Sequence, residues 1–427
     1  MENCKHCELR RRDFIRIAFG ASAGLALGAR FGVHPAEASQ DAKAGAAVQD
    51  AKAKSVILLW MQGAASQIDS WDPKPGTATG GPFKAIDTKR GWSVSEHLPR
   101  MAGIADRWSL IRTLYSKDPN HDTAQYLMHT GHRRVETVDY PHLGSLICSE
   151  LGMREGGLPG CVTIGGDDGV GAGFLAPETA PFLVEKIDDP LEDLQAITSK
   201  WRLEDRAKLL KAQNEGFRKE HDERRVLEHQ RAYDRALELM KSSHLKAFDI
   251  SGEPDETKNL YGAGAFSRAC LMARRLVEAG TRFVEVRLAD WDSHSDNFNR
   301  QKGLMGQLDP GFAGLLQDLG RKSMLDDTLV VWLSEFGRTP KVNAAQGRDH
   351  FTRAWSAVLA GGGIQGGRVV GSTTADGMEA ADRPVSVEDL YATLFDRLGI
   401  DPAKKVATPN GRPIKLLDGG RPVRELL

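Results

Sequence analysis

Val56-Ile57-Leu58-Leu59-Trp60-Met61, opened by Ser55 and closed by Gln62-Gly63, runs without a polar break. A strand wet on one face alternates apolar and polar residues; a strand covered on both faces does not. This stretch therefore predicts an interior strand of a parallel sheet. Arg282-Phe283-Val284-Glu285-Val286-Arg287-Leu288 and Thr328-Leu329-Val330-Val331-Trp332-Leu333 share its character. A helical segment precedes each, Phe266 to Ala279 closed by Gly280 and Phe312 to Leu319 closed by Gly320. Helix, glycine and strand in repetition predict an α/β fold, a doubly wound, mostly parallel sheet flanked by helices. Further strand and helix signals follow at Arg368–Gly371 and at Val387–Leu398, the latter with Ser386 as N-cap.

Composition agrees with a globular chain. The 427 residues carry 57 Lys+Arg against 58 Asp+Glu, a formal net charge of −1, so no basic excess argues for nucleic acid. From Pro190 to Lys246 the chain is dense in Lys, Arg, Glu and Leu, with Gly216 its one glycine. That stretch predicts a charged helical insertion of two or three helices, whose charges read most simply as a solvated surface. A position capping the site is a second reading.

The N-terminus reads as a leader. Arg10-Arg11-Arg12-Asp13-Phe14-Ile15-Arg16 has the form of a twin-arginine export motif. The apolar stretch from Ile17 to Ala29 is shorter than the ~20 residues that a spanning helix needs, so no stable membrane span is expected. Pro35-Ala36-Glu37-Ala38 supplies a small-x-small cleavage site. Residues 1–38 are thus expected to be a signal peptide read by the twin-arginine translocase, placing the mature chain in the periplasm or outside the cell. Residues 39–54, with the repeat QDAKA, read as a flexible linker, and 55–427 as the folded domain. Beyond the leader's Cys4 and Cys7 there remain Cys148, Cys161 and Cys270: one disulfide at most, or three buried thiols.

Open α/β sheets bind ligands outside the carboxyl ends of their strands. Asp290-Trp291-Asp292-Ser293-His294 follows one apolar run and Ser334-Glu335-Phe336-Gly337-Arg338 another; Gly347-Arg348-Asp349-His350 lies in a further loop. Asp292 and His294 stand two apart, on one side of an extended backbone. Oxygen with imidazole suits zinc, manganese or iron better than calcium or magnesium alone. The plainer alternatives are a hydrogen-bonded turn at Asp292/His294, an ion pair between Glu335 and Arg338, and an Asp349 that merely orients a histidine. Asn120-His121-Asp122-Thr123 opens a short helix, either as an anion-attracting N-terminus or as an ordinary cap at Asp122 or Thr123. Gln62, Gln67, Asp69 and Asp72 read mainly as turn chemistry.

Several of these stretches, with Ser66-Gln67-Ile68-Asp69, Pro73-Lys74-Pro75-Gly76, Ser95-Glu96-His97-Leu98-Pro99, His129-Thr130-Gly131 and Ala273–Gly280, jointly resemble the exported bacterial domain of unknown function 1501 family. That family falls within the alkaline phosphatase-like, or sulfatase-like, superfamily. The resemblance implies a metal-dependent hydrolase of phosphate or sulfate esters, with a small-molecule or glycan ester as substrate and a divalent metal (Zn, Mn, Fe, Ca or Mg) as cofactor. It places Asp292, His294, Glu335, Asp349 and His350 on the metal side and Arg338 at the developing charge. His121 or Thr123 falls at the nucleophile, or His121 becomes a further ligand. The chain departs from the pattern in three places. Glu335 and Phe336 stand where a metal-binding Asp-His pair would be, Gln62-Gly63 replaces an acidic pair, and no formylglycine motif is present. Alternatives from other classes are a degenerate member that binds sulfated or phosphorylated glycans, and a periplasmic partner protein.

Overall fold

The computed structural model describes residues 51–154, 157–167, 169–188, 200–218, 223–408 and 410–427. The expected signal peptide, the expected linker as far as residue 50 and the start of the expected insertion (190–199) lie outside the described residues. In chain order the elements that build the core are β1 (Ser55–Met61), β2 (Trp108–Tyr115), α1 (His121–Thr130), α2 (Leu143–Leu151), β3 (Cys161–Ile164), β4 (Phe182–Val184), α3 (Lys200–Phe217), α4 (Glu223–Lys241), α5 (Ala265–Glu278), β5 (Phe283–Leu288), α6 (Asn297–Arg321), β6 (Thr328–Leu333), β7 (Trp355–Ala360), β8 (Val369–Val370), β9 (Val385–Ser386) and α7 (Val387–Leu398).

The nine strands form one sheet in the order β8-β2-β7-β6-β1-β5-β3-β4, with β9 also paired to β2. Only β7 runs against the others. All seven residues of β1 are buried, as its unbroken apolar run requires. Ile57, Leu59 and Met61 face one core, with the apolar sides of α5 and α6; Val56, Leu58 and Trp60 face the other, with α1, α2 and α7. Each such aliphatic side chain, fully buried, stabilises the fold by about 1.5–3 kcal/mol. Register sets the strand ends level: Met61 lies beside Leu288 of β5, and Trp60 beside Leu333 of β6. The loops after β1, β5 and β6 therefore leave the sheet at one edge.

Several boundaries differ from the sequence reading. The helix expected over Phe312–Leu319 begins at Asn297 and passes through Pro310 and Gly320. Its glycines are packing positions: a Cβ on Gly311 would come within 2.9 Å of Phe266, and one on Gly314 within 2.8 Å of the Tyr261 backbone. The linker also ends earlier than expected. Lys52 and Ala53 donate their N–H groups to the Arg397 carbonyl at the end of α7, and Ala53 is buried. Helices α3 and α4 fill the described part of the insertion. Arg235 of α4 donates to the Leu158 carbonyl, at the amino end of β3, so the contact lies at the opposite edge from the carboxyl ends. The side chains of Cys148, Cys161 and Cys270 are buried. Among the described residues no helix is long and apolar enough to cross a membrane.

Candidate metal centre

β1 lies between β5 and β6, so the strand order turns back on itself at its carboxyl end, the place where open α/β sheets bind ligands. Asp292 and His294 follow β5, and Glu335 follows β6. His350 lies on a two-residue strand (His350–Phe351) antiparallel to Gly337–Arg338, directly opposite Arg338. His121 enters as the first residue of α1, set by its N-cap Asn120, whose side chain accepts from the N–H groups of Asp122 and Thr123.

These side chains converge. A ligand atom from each of His121, Asp292 and His350 lies within 4.8 Å of the other two. Asp292 Oδ1 is 3.5 Å from His121 Nε2, 3.7 Å from His350 Nε2 and 3.2 Å from His294 Nε2. Two donors that share one ion at about 2.0–2.2 Å stand roughly 3–3.5 Å apart.

The hydrogen bonds behind the rings decide where their protons sit. His121 Nδ1 is 2.7 Å from Glu335 Oε1, His294 Nδ1 is 2.9 Å from Asp349 Oδ1, and His350 Nδ1 is 2.7 Å from the Pro119 carbonyl oxygen. A carboxylate or carbonyl oxygen only accepts, so each Nδ1 carries a proton, and in the neutral ring each Nε2 then presents a lone pair inward. His121 Nε2 is buried with no hydrogen-bond partner. His294 Nε2 and His350 Nε2 face each other at 3.0 Å, and with both rings neutral and protonated at Nδ1 two acceptors would meet there. A cation between such atoms removes the conflict.

The electrostatics divide between the groups. Burial opposes ionisation of Asp292, but the Arg338 guanidinium outweighs it and holds the carboxyl below its usual pKa. Burial pushes His350 below its usual pKa, which favours the neutral ring. For His121 burial also lowers the pKa, yet the Glu335 carboxylate more than offsets it and leaves the ring above its usual value.

Each remaining residue singled out in the sequence has a definite place. Glu335 is buried, and its Oε1 also accepts the Gly63 N–H at 2.9 Å. Asp349 is exposed and accepts from His294 and from Asn343 Nδ2. Arg338 is fully buried, with its guanidinium committed to the carbonyls of Gly63, Ala64 and Arg348 and to Asp292 Oδ1. Thr123 Oγ1 turns back to Asn120. The turn residues prove to be scaffolding. The Gln67 carboxamide pairs with the backbone of Arg338 in both directions at 2.9 Å, and Asp69 receives Arg348 Nε at 2.8 Å and Nη2 at 3.0 Å. Sequence reasoning passed over the Pro119 carbonyl and the Gly63 backbone, which contribute no distinctive side chain.

A second group, His129, His142 and Glu285, is wholly buried beneath the sheet. Its protons sit differently. His142 Nδ1 accepts from the Gly144 N–H at 2.9 Å, so its Nε2 carries the proton and donates to Glu285 Oε2 at 3.1 Å. Burial opposes ionisation of Glu285, but Arg287 and His129 hold it well below the usual range. This is an internal ion cluster, without the set of inward lone pairs found at the sheet edge.

Sheet order, helices on both faces and a histidine–carboxylate cluster at the strand ends define an α/β protein with a candidate metal centre. The chain belongs to the family described as "Protein of unknown function (DUF1501)", whose model matches residues 53–427. No curated protein matches it. Among solved structures it is similar to a protein in the alkaline phosphatase superfamily from Vibrio parahaemolyticus (13% identity, 98% of this chain and 79% of that one, TM-score 0.42). It is also similar to the lipoteichoic acid synthase LtaP from Listeria monocytogenes (9% identity, 87% and 76%, TM-score 0.40). A third is the phosphonate monoester hydrolase SpPMH from Silicibacter pomeroyi (12% identity, 87% and 76%, TM-score 0.40). At TM-scores near 0.4 the chemistry has to be argued from this chain's own residues.

Proposed function

We propose that the chain is an exported, metal-dependent hydrolase of phosphate or sulfate esters, with its metal held by His121, Asp292 and His350 and with His294 beside them. One observation carries the reading: the three imidazoles have their Nδ1 protons directed at fixed acceptors and their Nε2 atoms turned toward one carboxylate oxygen. A divalent ion held there supplies Lewis-acid polarisation of an ester oxygen. Glu335 and Asp349 act one step back from the ion, orienting His121 and His294. Arg338 orients Asp292, since its donors are already occupied by the protein. Asp292 and His294 are about half-exposed, so a small-molecule or glycan ester reaches the centre from solvent.

The test is hydrolysis of chromogenic phosphate and sulfate esters by the purified chain before and after chelation, with metal added back. Turnover that depends on metal and is lost in His350→Ala supports the reading. Full turnover in the chelated protein overturns it. The second reading, a centre that binds sulfated or phosphorylated glycans without cleaving them, has its own observation. The hydroxyls of Thr123, Ser293 and Ser334 are bonded to Asn120, Asn297 and the Phe336 carbonyl, so none of the three is poised as a nucleophile. Glycan affinity with no turnover of any ester favours it.

A further inference from the structure

We infer that the centre takes one transition-metal ion of the zinc, iron, cobalt or nickel kind, and neither a calcium or magnesium ion nor a second metal. This rests on the metal-binding half of the proposal above and is independent of whether an ester is cleaved.

The donor set gives the class of ion. Calcium takes six to eight oxygen ligands, and magnesium keeps an all-oxygen, largely hydrated octahedron. Here, beside the Arg338 guanidinium that donates to it, Asp292 Oδ1 is met by three imidazole nitrogens. Imidazole suits zinc, copper, iron and nickel. Moreover, the protons are placed in advance by Glu335, Asp349 and the Pro119 carbonyl, so the rings meet the ion in the right tautomer without rearranging.

The surroundings set the number of ions at one. A neighbouring site would need further carboxylate oxygens or another imidazole, and one oxygen of each carboxylate behind the rings is already occupied. Glu335 Oε1 takes both the His121 Nδ1 proton and the Gly63 N–H, while Asp349 Oδ1 takes His294 and Asn343. Phe336, the residue after Glu335, is fully buried and packs its ring against His121 at 4.9 Å and His350 at 4.7 Å between centroids. An apolar ring thus stands where another ligand would have to enter. Glu335 Oε2, buried and without a hydrogen-bond partner, is a single atom and cannot hold an ion alone.

The experiment is equilibrium metal binding on the chelator-stripped chain, with zinc and cobalt(II) titrated in the presence of a large excess of calcium and magnesium. Metal content is read by elemental analysis, and cobalt by its visible absorption. The expected result is one equivalent of zinc or cobalt per chain, undiminished by the excess, with a cobalt spectrum characteristic of nitrogen ligation. His350→Ala and His121→Ala should lose that spectrum while far-UV circular dichroism stays unchanged. Phe336→His, which offers a further imidazole, should raise the stoichiometry toward two. Two equivalents in the parent chain, displacement by calcium or magnesium, or no uptake of any ion overturns the inference. One tightly bound zinc without turnover leaves it standing and removes the hydrolase reading. Ester cleavage supported by calcium alone does the reverse.

Discussion

His121 Nδ1 and Glu335 Oε1 lie 2.7 Å apart although the two residues are 214 positions apart in sequence. The contact holds a helix start against a strand end and fixes which nitrogen of His121 is left to bind. Glu335→Gln keeps the shape but removes the charge that orients the ring. Metal affinity should fall about 10–100-fold, the usual consequence of losing such a partner. A competition titration against a chromophoric chelator measures it, and an unchanged affinity would show that Glu335 plays no orienting part.

A glycine sets the opposite wall. A Cβ on Gly347 would lie 1.8 Å from the His294 carbonyl oxygen, so Gly347→Ala forces the 343–349 turn away from the loop that carries His294. Destabilisation of about 1–3 kcal/mol is expected, as for other overpacked sites. Metal affinity should drop with it, because Asp349 moves relative to His294. Urea denaturation and the same chelator competition read the two effects separately.

The sheet was legible because β1 and β6 are buried on both faces and so carry unbroken apolar runs; β5 is equally buried, but Glu285 and Arg287 interrupt its run and pair with each other inside. Strands β2 and β7 gave no such signal: Ser109, Arg112 and Thr113 interrupt one, and Ser356 the other, yet all but Arg112 are buried. The helix over Asn297–Arg321 was read short because Pro310 and its glycines look like breaks, whereas contact with Phe266 and Tyr261 makes the small residues necessary. The convergence of side chains was legible in part through the strand-end rule, which brings Asp292, His294 and Glu335 to one edge, with His350 arriving on a later loop. What sequence cannot show is which side of an imidazole faces inward. That depends on acceptors such as the Pro119 carbonyl, which no residue type announces.

Asp69 and Arg348 form a fully buried ion pair behind the centre, through Nε at 2.8 Å and Nη2 at 3.0 Å. Asp69→Asn leaves a guanidinium in the interior without its counter-charge and should cost about 3–5 kcal/mol. Removing both charges together should cost less than the sum of the single changes. A double-mutant cycle by chemical denaturation gives the coupling, and strict additivity would deny the pairing.

Export is tested on the leader itself. Arg11→Lys with Arg12→Lys keeps the charge but removes the paired guanidinium groups that the twin-arginine signal presents. The precursor should then accumulate in the cytoplasm. Normal cleavage and release of the double variant would refute the leader assignment made from Arg10–Arg16 and Ala38.

The last prediction concerns acid. Arg274 on α5 is buried and meets Glu253 at 2.7 Å and Asp318 at 2.8 Å, with Glu278 on the same guanidinium. Burial opposes ionisation of Glu253 and Glu278. Arg274 outweighs it for Glu253, helped by Arg275, and Lys322 with Arg274 outweighs it for Glu278, so both carboxyls titrate below their usual 4.5. A carboxyl whose folded pKa is depressed binds protons more readily in the unfolded chain. Its contribution is therefore complete above the unfolded value and is lost as pH falls through the folded one. Stability should decline as pH drops below about 4.5, the ordinary range for glutamate. Arg274→Met removes the charge that Glu253, Glu278 and Asp318 share, leaving Arg275 on Glu253 and Lys322 on Glu278, and should cost about 3–5 kcal/mol near neutral pH, as for other broken buried pairs. Its deficit should shrink in acid, where the parent chain loses the same interaction. Urea midpoints for both chains at pH 7 and at pH 3.5 measure this difference, and a deficit that stays constant between them would place the stabilising role of Arg274 in packing instead of charge.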